Sequence, residues 1–265
     1  VDFVGEHHGE PGESSYRLEP DTAFVKPATD CVLLGHAVAT VPTTQLSVTF
    51  RVGPVGKMAL VTGDRFFEHD GLGVRISAPS RFQMLPLVYE RAFGGWDRTS
   101  ADKAHHEGDP RNPVGVGFVA KHGTFVPGSP VPNVEDPGEP LGSHGGRCPA
   151  VGFGFIGPEW YPRTRFIGTY DDVWAKTRSP LLPRDFDRRF FQAASDGLTS
   201  PGYLLGNEPV EVTGATAEGR WVFRLPGIQP PHCTVATRLV GDRPLATNLD
   251  TVIVDADARQ VILVW

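Results

Sequence analysis

Short apolar runs rich in β-branched residues recur along this chain, and clusters of glycine, proline and aspartate separate them. Such a pattern is typical of strands joined by tight turns, as in β-sandwiches and barrels. It predicts strands at residues 31–38, 46–52, 58–62, 74–77, 208–213, 221–225, 234–240, 248–254 and 260–265. The short segments 52–57 and 254–260 then predict hairpin loops. We therefore expect a mainly β fold, an antiparallel β-sandwich-like domain.

Residues 95–165 depart from this pattern, because glycine and proline are dense there and strands are difficult to place. We expect this stretch to be a long ordered loop region laid over the sandwich, and connections of this length are often functional. Two short helices are expected after it. Segment 169–176 has acidic residues in its first turn and a lysine near its end. Segment 183–194 places Phe186, Phe190 and Ala193 on one face at helical spacing.

The last run of the chain, residues 261–265, lacks polar alternation. A continuous apolar run of this length predicts a strand that is buried on both faces. Four aromatic residues are flanked by apolar residues, which likewise predicts that they lie in the core: Phe93, Phe118, Phe153 and Trp174.

Charge is concentrated at the beginning of the 265-residue chain. The net charge is −6, and residues 1–30 hold seven acidic residues against Arg17 and Lys26, which leaves −1 for residues 31–265. A nearly neutral body argues against general attraction to nucleic acid or to a membrane surface. The chain is therefore expected to have an acidic N-terminal arm at 1–30 and a single β-rich domain at 31–265. The arm is either solvated or faces a partner.

The three cysteines, Cys31, Cys148 and Cys233, lie far apart and form no C-x-x-C pair. An odd number of unpaired thiols fits a reducing compartment, so we expect a cytoplasmic protein. Cys31 and Cys233 stand beside apolar residues, which predicts that both belong to the core.

Sequence signatures of catalysis and of cofactor binding are weak in this chain. Residues 152–157 match G-x-G-x-x-G, but Pro158 follows at once, and a dinucleotide site needs a helix at that point. His105 and His106 stand in a polar loop, like His7 and His8, and a metal site would need further ligands brought from elsewhere. G-x-S-x-G, P-loop and EF-hand patterns are missing. We therefore expect no enzyme activity, no metal and no cofactor, while the many carboxylates leave a glycosidase-type pair open.

Residues 86–118 combine short apolar runs with an unusual density of turn-forming residues. Double glycine supplies backbone angles that side chains forbid, and proline fixes φ, so this backbone is expected to hold one unusual shape. Arg91 and Arg111 are expected to anchor the loop region through carboxylates or carbonyls, and Arg91→Ala to cost about 2 kcal/mol or more. Six residues are predicted to be structural: Glu90, Arg91, Gly94, Gly95, Arg111 and Asn112.

The most basic window of this acidic chain lies between residues 161 and 191. A solvated face is the simplest interpretation, and a docking surface for an acidic or polar partner segment is the alternative. Arginine and tryptophan are over-represented in binding hot spots. The candidate partner-binding residues are Trp96, Trp160, Arg163, Arg165, Trp174, Arg184, Arg188 and Arg189.

Several separated motifs, in order, resemble those of the DUF2169 family: Lys-Pro-Ala-Thr-Asp at 26–30, Gly-Asp-Arg at 63–65, and the runs 86–97, 109–118, 149–163, 169–174 and 180–194. The resemblance extends over residues 26–265. It implies a non-catalytic bacterial adaptor or chaperone that binds a type VI secretion effector and helps to load it onto the secretion spike. The implied partners are a secreted effector, which can include a PAAR-like spike-tip domain, and the VgrG spike protein.

A different class of function stays open beside this one. Loop aromatics, here Trp96, Trp160 and Tyr161, suit stacking on sugar rings. The alternative prediction is therefore a carbohydrate-binding or glycan-hydrolysing β-sandwich protein.

Overall fold

The computed structural model describes residues 25–71, 73–177, 179–238 and 241–265. Its longer strands are β1 (Asp30–Leu34), β2 (His36–Thr43), β3 (Gln45–Val52), β4 (Val55–Thr62), β5 (Phe67–His69), β6 (Val74–Ile76) and β7 (Phe82–Pro86). Two-residue strands follow at β8 (Phe93–Gly94), β9 (Trp96–Asp97), β10 (Glu107–Gly108), β11 (Val116–Gly117) and β12 (Val134–Glu135). The last strands are β13 (Pro209–Thr213), β14 (Arg220–Arg224), β15 (Cys233–Thr237), β16 (Gly241–Leu245), β17 (Thr251–Asp255) and β18 (Gln260–Val264).

Helical elements are few and short in the described residues. The α-helices are α1 (Tyr161–Thr164) and α2 (Asp172–Thr177). Three 3₁₀ turns add Tyr89–Arg91, Lys103–His105 and Arg188–Phe191. A mainly β fold with antiparallel sheets and only two short α-helices is confirmed.

Two sheets and one strand pair enclose the main core. The larger sheet has the order β12-β4-β3-β13-β14 and is antiparallel throughout. The smaller has the order β1-β17-β18, in which β1 runs parallel to β17. Strands β2 and β7 form an antiparallel pair. Alternating residues of the strands, such as Val48, Phe50 and Val52 on β3, are fully buried between these layers.

The first predicted strand, 31–38, is divided in the structure. Gly35 has a φ of +128°, and its position ends β1 and begins β2. The two halves pair with different strands, since β1 lies beside β17 and β2 beside β7. Both predicted hairpins, at 52–57 and 254–260, are confirmed by the β3–β4 and β17–β18 pairings.

The prediction that the last run is buried on both faces is wrong. Residues 261–264 are only half-buried, and Gln260 is exposed. Strand β18 lies at the edge of its sheet, with β17 on one side only. Its apolar residues therefore pack against the core from the rim of the sheet.

The helix predicted at 183–194 is also wrong, because only Arg188–Phe191 form a 3₁₀ turn. The end of this segment is held in extended backbone. The amide of Ala193 donates to Asp30 Oδ2, and the carbonyl of Ala193 accepts from Ile156. Long-range pairing thus takes backbone groups that an α-helix would need.

The helix predicted at 169–176 corresponds to α2, where the amide of Trp174 donates to the Asp171 carboxylate. Of the four aromatics expected in the core, Phe93, Phe118 and Phe153 are buried. Trp174 is only half-buried, and its indole N–H donates to the carbonyl of Pro180. That indole therefore belongs to a short helix on the surface, and its predicted burial is wrong.

A buried ionic cluster joins the beginning of the described chain to its end. Lys26 Nζ lies 3.1 Å from Asp30 Oδ2 and 2.9 Å from Asp250 Oδ2, and it donates to Thr251 Oγ1 at 2.9 Å. Burial alone would lower the pKa of Lys26, but the carboxylates of Asp30 and Asp250 outweigh it and raise this pKa. The domain therefore includes residues 26–30, and the predicted boundary at residue 30 falls inside it. Residues 1–24 lie outside the described ranges.

We predict that Lys26→Met destabilises the fold strongly. The variant leaves the fully buried carboxylate of Asp30 without its cation, and such a loss typically costs about 3–5 kcal/mol. Urea unfolding measures the free energy of unfolding, with Lys121→Met at an exposed position as the matched control. Equal stabilities of the two variants would show that the cluster contributes nothing to folding.

Candidate functional site

The loop region between residues 92 and 118 is held together by backbone hydrogen bonds. Strands β8 and β11 pair in parallel, with Phe93 opposite Val116 and Gly94 opposite Gly117. The amide of Gly95 donates to the Asn112 carbonyl at 2.8 Å, and the amide of Asp109 donates to the Gly95 carbonyl at 2.9 Å. This pairing fixes the shape predicted from the glycine and proline pattern.

Glycine is required at both positions of the Gly94–Gly95 pair. Their φ angles are +150° and +90°, which side chains rarely adopt. A Cβ on Gly94 would lie 2.1 Å from the Asn112 carbonyl oxygen, and one on Gly95 would lie 2.2 Å from the Gly115 carbonyl oxygen. The two glycines therefore allow two backbone segments to approach closely.

Side chains complete the anchoring of this region. The fully buried Asn112 donates its amide hydrogens to the carbonyls of Tyr89 and Phe93. Arg111 binds the buried carboxylate of Asp109 through Nε and Nη2. Both contacts hold residues 109–112 in place, and the structural role of Asn112 and Arg111 stays a prediction.

Arg91 contributes less than the sequence predicted. Its guanidinium donates to Asp64 and to Asn133, but the Arg91 side chain is 35% exposed and that of Asp64 is 50% exposed. A half-exposed ion pair is screened by water, so the loss expected for Arg91→Ala falls to about 1 kcal/mol. The backbone carbonyl of Arg91 is better protected, because it accepts from the amide of Asn133 at 2.8 Å.

An open groove of about 670 Å³ lies over this anchored region. Two large aromatic side chains line it while staying accessible, since Trp96 is 54% exposed and Tyr161 is 51% exposed. Its other lining residues include His106, Glu107, Arg111, Phe118, Glu139, Arg147 and Cys148. The groove thus combines accessible aromatic faces with charges of both signs.

The aromatic walls are positioned by rigid neighbours. Gly108 faces the Trp96 indole so closely that a Cβ there would lie 2.6 Å from the ring. The amide of Tyr161 donates to the Pro110 carbonyl at 2.7 Å, which ties α1 to the opposite wall. Arg147 stacks over the Phe118 ring at 5.0 Å from its centroid.

Helix α1 separates the predicted partner-binding residues into two groups. Trp160 is fully buried and meets the Tyr89 ring edge-on at 5.0 Å. Arg163 is also buried, and its guanidinium donates to the carbonyls of Ile156 and Phe190. Both residues belong to the interior, so their prediction as docking residues is wrong. They fix the helix so that Tyr161 and Arg165 face outward.

A model of the family described as "Uncharacterized protein conserved in bacteria (DUF2169)" matches residues 1–265. The chain belongs to the DUF2169 family. Comparison with curated proteins gave no match, and comparison with solved structures gave none either. Three of the motifs that resemble this family, 86–97, 109–118 and 149–163, contribute residues to the walls of the groove in this DUF2169 protein.

A second, smaller pocket of about 280 Å³ adjoins the groove and shares Arg111, Pro149 and Tyr161 with it. Lys57 reaches it from β4, and its Nζ lies 3.1 Å from the hydroxyl of Ser195. Burial lowers the pKa of Lys57 to about 8, against the attraction of Asp196 and Asp136. The sequence offered no signal for this lysine, because nothing in a short strand shows that a distant loop will cover it.

A basic surface lies beside this pocket. The guanidinium groups of Arg165 and Arg189 stack on the Phe166 ring at 4.6 and 4.3 Å from its centroid. Arg184 and Arg188 are exposed nearby in sequence, and Arg189 also pairs with Asp187. These arginines are accessible, and their role in binding a partner stays a prediction, as does that of Trp174.

The histidines and the glycine-rich run that were weighed as metal or nucleotide sites lie outside any such site. His106 Nε2 lies 2.9 Å from the Ser100 carbonyl, and the exposed His105 lies near Asp102. Among the residues that the structure describes, no three histidine, cysteine, aspartate or glutamate side chains converge as metal ligands.

Gly152 packs against the Tyr89 ring, so the G-x-G-x-x-G run is part of the core. No helix in the described ranges is both long and apolar enough to cross a bilayer.

The thiols differ in accessibility. Burial raises the pKa of Cys148 to about 12 and also raises the pKa of Cys31. Cys233 is only half-buried, which corrects its predicted place in the core.

We predict that Gly95→Ala destabilises the protein more than Gly128→Ala does. Both glycines have positive φ angles, +90° and +82°, but a Cβ on Gly128 meets nothing within 4 Å. The difference between the two variants therefore isolates the contact with the Gly115 carbonyl, and we expect it to reach about 1–3 kcal/mol. Thermal or urea unfolding gives the comparison, and equal losses would mean that the backbone moves apart freely.

We also predict selective alkylation of the native protein. At pH 8, iodoacetamide is expected to modify Cys233, while Cys31 and Cys148 stay protonated and buried. Mass spectrometry of the intact chain should show a single addition, and all three cysteines should react after unfolding in urea. Rapid modification of native Cys148 would show that the wall of the groove opens.

Proposed function

We propose that this DUF2169 protein is a non-catalytic adaptor or chaperone. It binds a type VI secretion effector in the bacterial cytoplasm and helps to load it onto the spike. Its partners are the effector, with or without a PAAR-like spike-tip domain, and the VgrG spike protein. The resemblance of its ordered motifs to those of adaptors of this kind motivates the proposal, and membership of a bacterial family is compatible with it.

The observation that supports binding most directly is the groove with its two accessible aromatics. Trp96 and Tyr161 expose about half of their surface. Exposed aromatics beside arginines are the usual composition of a protein-binding hot spot. A groove of about 670 Å³ can receive several side chains of a partner segment.

The rigidity of the groove supports the same function. Backbone hydrogen bonds from the Tyr161 amide to the Pro110 carbonyl and from the Gly95 amide to the Asn112 carbonyl hold its walls in place. A binding surface that is already ordered loses little conformational entropy when a partner arrives. A chaperone that must hold an otherwise exposed apolar segment benefits from such a preformed surface.

A glycan-binding function is the second candidate, and one observation favours it. The groove that contains Trp96 and Tyr161 also contains Glu107 and Glu139. Stacking aromatics beside carboxylates are the components of a sugar site, and a carboxylate pair could cleave a glycosidic bond. Burial of Trp160 removes one of the three aromatics on which this alternative depended.

We predict that the protein forms a stable complex with the effector encoded beside it, and that Trp96→Ala combined with Tyr161→Ala weakens this complex by at least about tenfold. Removing two exposed rings deletes contact area without disturbing the core. Co-expression with affinity purification measures complex formation, and binding constants follow from calorimetry. Met84→Ala, at a residue 61% exposed on β7 and outside the groove, is the control.

Secretion assays test the adaptor function itself. In a strain lacking this protein, the effector is expected to be insoluble or unsecreted. An effector that stays soluble and is secreted normally would contradict the proposal. Binding of oligosaccharides in a glycan array, lost in the same double variant, would favour the second candidate.

A further inference from the structure

The smaller pocket beside the groove has an unusual balance of charge. It is lined by three cationic side chains, Lys57, Arg111 and Arg165, and by one acidic side chain, the exposed Asp196. Arg111 is already engaged by Asp109. The other two cations have no carboxylate within ion-pair distance among the described residues, since Lys57 contacts the Ser195 hydroxyl and Arg165 stacks on Phe166.

Lys57 is half-buried and Arg165 is exposed, and even partial burial of a cation is normally compensated by pairing with a carboxylate. Ser195 does not supply the missing charge, because its hydroxyl is neutral; it accepts from Lys57 and donates to the Gly152 carbonyl at 2.7 Å. The two cations come from elements far apart in sequence, β4 and the end of α1, yet they line one pocket of about 280 Å³. That volume is suited to a small group such as one side chain.

The pocket is continuous with both surfaces described above. Tyr161 and Arg111 belong to the pocket and to the groove, so a chain lying in the groove passes its mouth. Arg165 belongs to the pocket and also stacks on Phe166, together with Arg189 of the basic surface. An occupant therefore meets aromatic walls on one side and excess positive charge on the other.

We propose that this pocket is a carboxylate-binding site that anchors an acidic side chain of a partner protein through Lys57 and Arg165, while the adjoining residues of that partner lie in the groove. The site rests on the proposed binding function and specifies it further: the partner segment is acidic, with an apolar or aromatic residue next to the acid. Arg165 can offer a planar pair of donors, and Lys57 a compact charge.

Binding at this site is coupled to protonation of Lys57. Burial lowers the pKa of Lys57 to about 8 in the free protein, and a bound carboxylate stabilises its charged form. Affinity is thus highest below pH 8 and decreases as the pH rises through it, by up to about tenfold between pH 6.5 and pH 9. The polar and charged groups around Lys57 are Asp136, Asp196, Ser195, Arg111, Arg165, Tyr89 and Tyr161.

Three N-acetylated dipeptides test the site on the full-length protein. Acetyl-Phe-Asp-amide presents a side-chain carboxylate, and acetyl-Phe-Asn-amide is its uncharged isostere. Acetyl-Phe-Asn with a free C-terminus presents the carboxylate from the end of a chain instead. Dissociation constants come from NMR titration at pH 6.5 and pH 9, for the wild type and for Lys57→Met, Arg165→Gln and Lys121→Met.

We expect the aspartate peptide to bind the wild type at least about tenfold more tightly than the asparagine peptide at pH 6.5, and this preference to shrink at pH 9. Lys57→Met should remove the preference and its pH dependence. Arg165→Gln, at an exposed position, should reduce the preference even if Lys57→Met does not fold. Lys121→Met should bind as the wild type does.

Equal binding of the aspartate and asparagine peptides, or a preference that persists in both pocket variants, would overturn the inference. Stronger binding of the C-terminal carboxylate would replace a side-chain anchor by a chain end. If the neighbouring effector co-purifies with Lys57→Met as with the wild type, the pocket fails and the adaptor function stands. If peptides discriminate but no effector binds, the adaptor function fails and the pocket stands.

Discussion

The ion cluster around Lys26 is the contact on which the rest of the architecture depends. Lys26 is paired with Asp30 at the start of β1 and with Asp250 just before β17. Asp30 in turn accepts hydrogen bonds from Ala193 and Thr199, so its two oxygens bind the segment that leads to β13. Charges in a dry environment tolerate little displacement, and this one cluster fixes three distant parts of the chain relative to one another.

The loop region, in contrast, is held mostly by hydrogen bonds between uncharged groups. Glycines let the segments 92–97 and 109–118 approach, and backbone amides, with Asn112, satisfy the carbonyls that this approach buries. Helix α1 is fixed to the interior by the buried side chains of Trp160 and Arg163. The outcome is a groove whose aromatic rings are accessible although their supports are rigid, an arrangement that favours binding of a preferred shape over adaptation to many.

Local pattern predicted the strands of the β3–β4 and β17–β18 hairpins, because β-branched residues between turn residues specify hairpins through near neighbours alone, but it missed β5, β7 and β16. Where distant segments compete, it failed. The apolar residues of 183–194 have helical spacing, but the backbone groups of Ala193 form hydrogen bonds with Asp30 and Ile156 instead. Trp160 and Arg163 look like surface residues until Tyr89 and Phe190 are placed beside them. Lys57 had no signal, because its surroundings are supplied by residues near 150, 165 and 195.

The parallel pairing of β1 with β17 has a consequence for the order of folding. Lys26 and Thr251 are separated by 225 positions, so β1 leaves the ribosome long before its partner strand β17 has been synthesised. Contacts of such high sequence separation form slowly, because the intervening loop must first be closed. During synthesis the apolar strand β1 therefore waits with an open edge, while the β3–β4 hairpin can already form from neighbouring residues. Until β17 has been synthesised, that open edge has to be kept from pairing with other exposed strands.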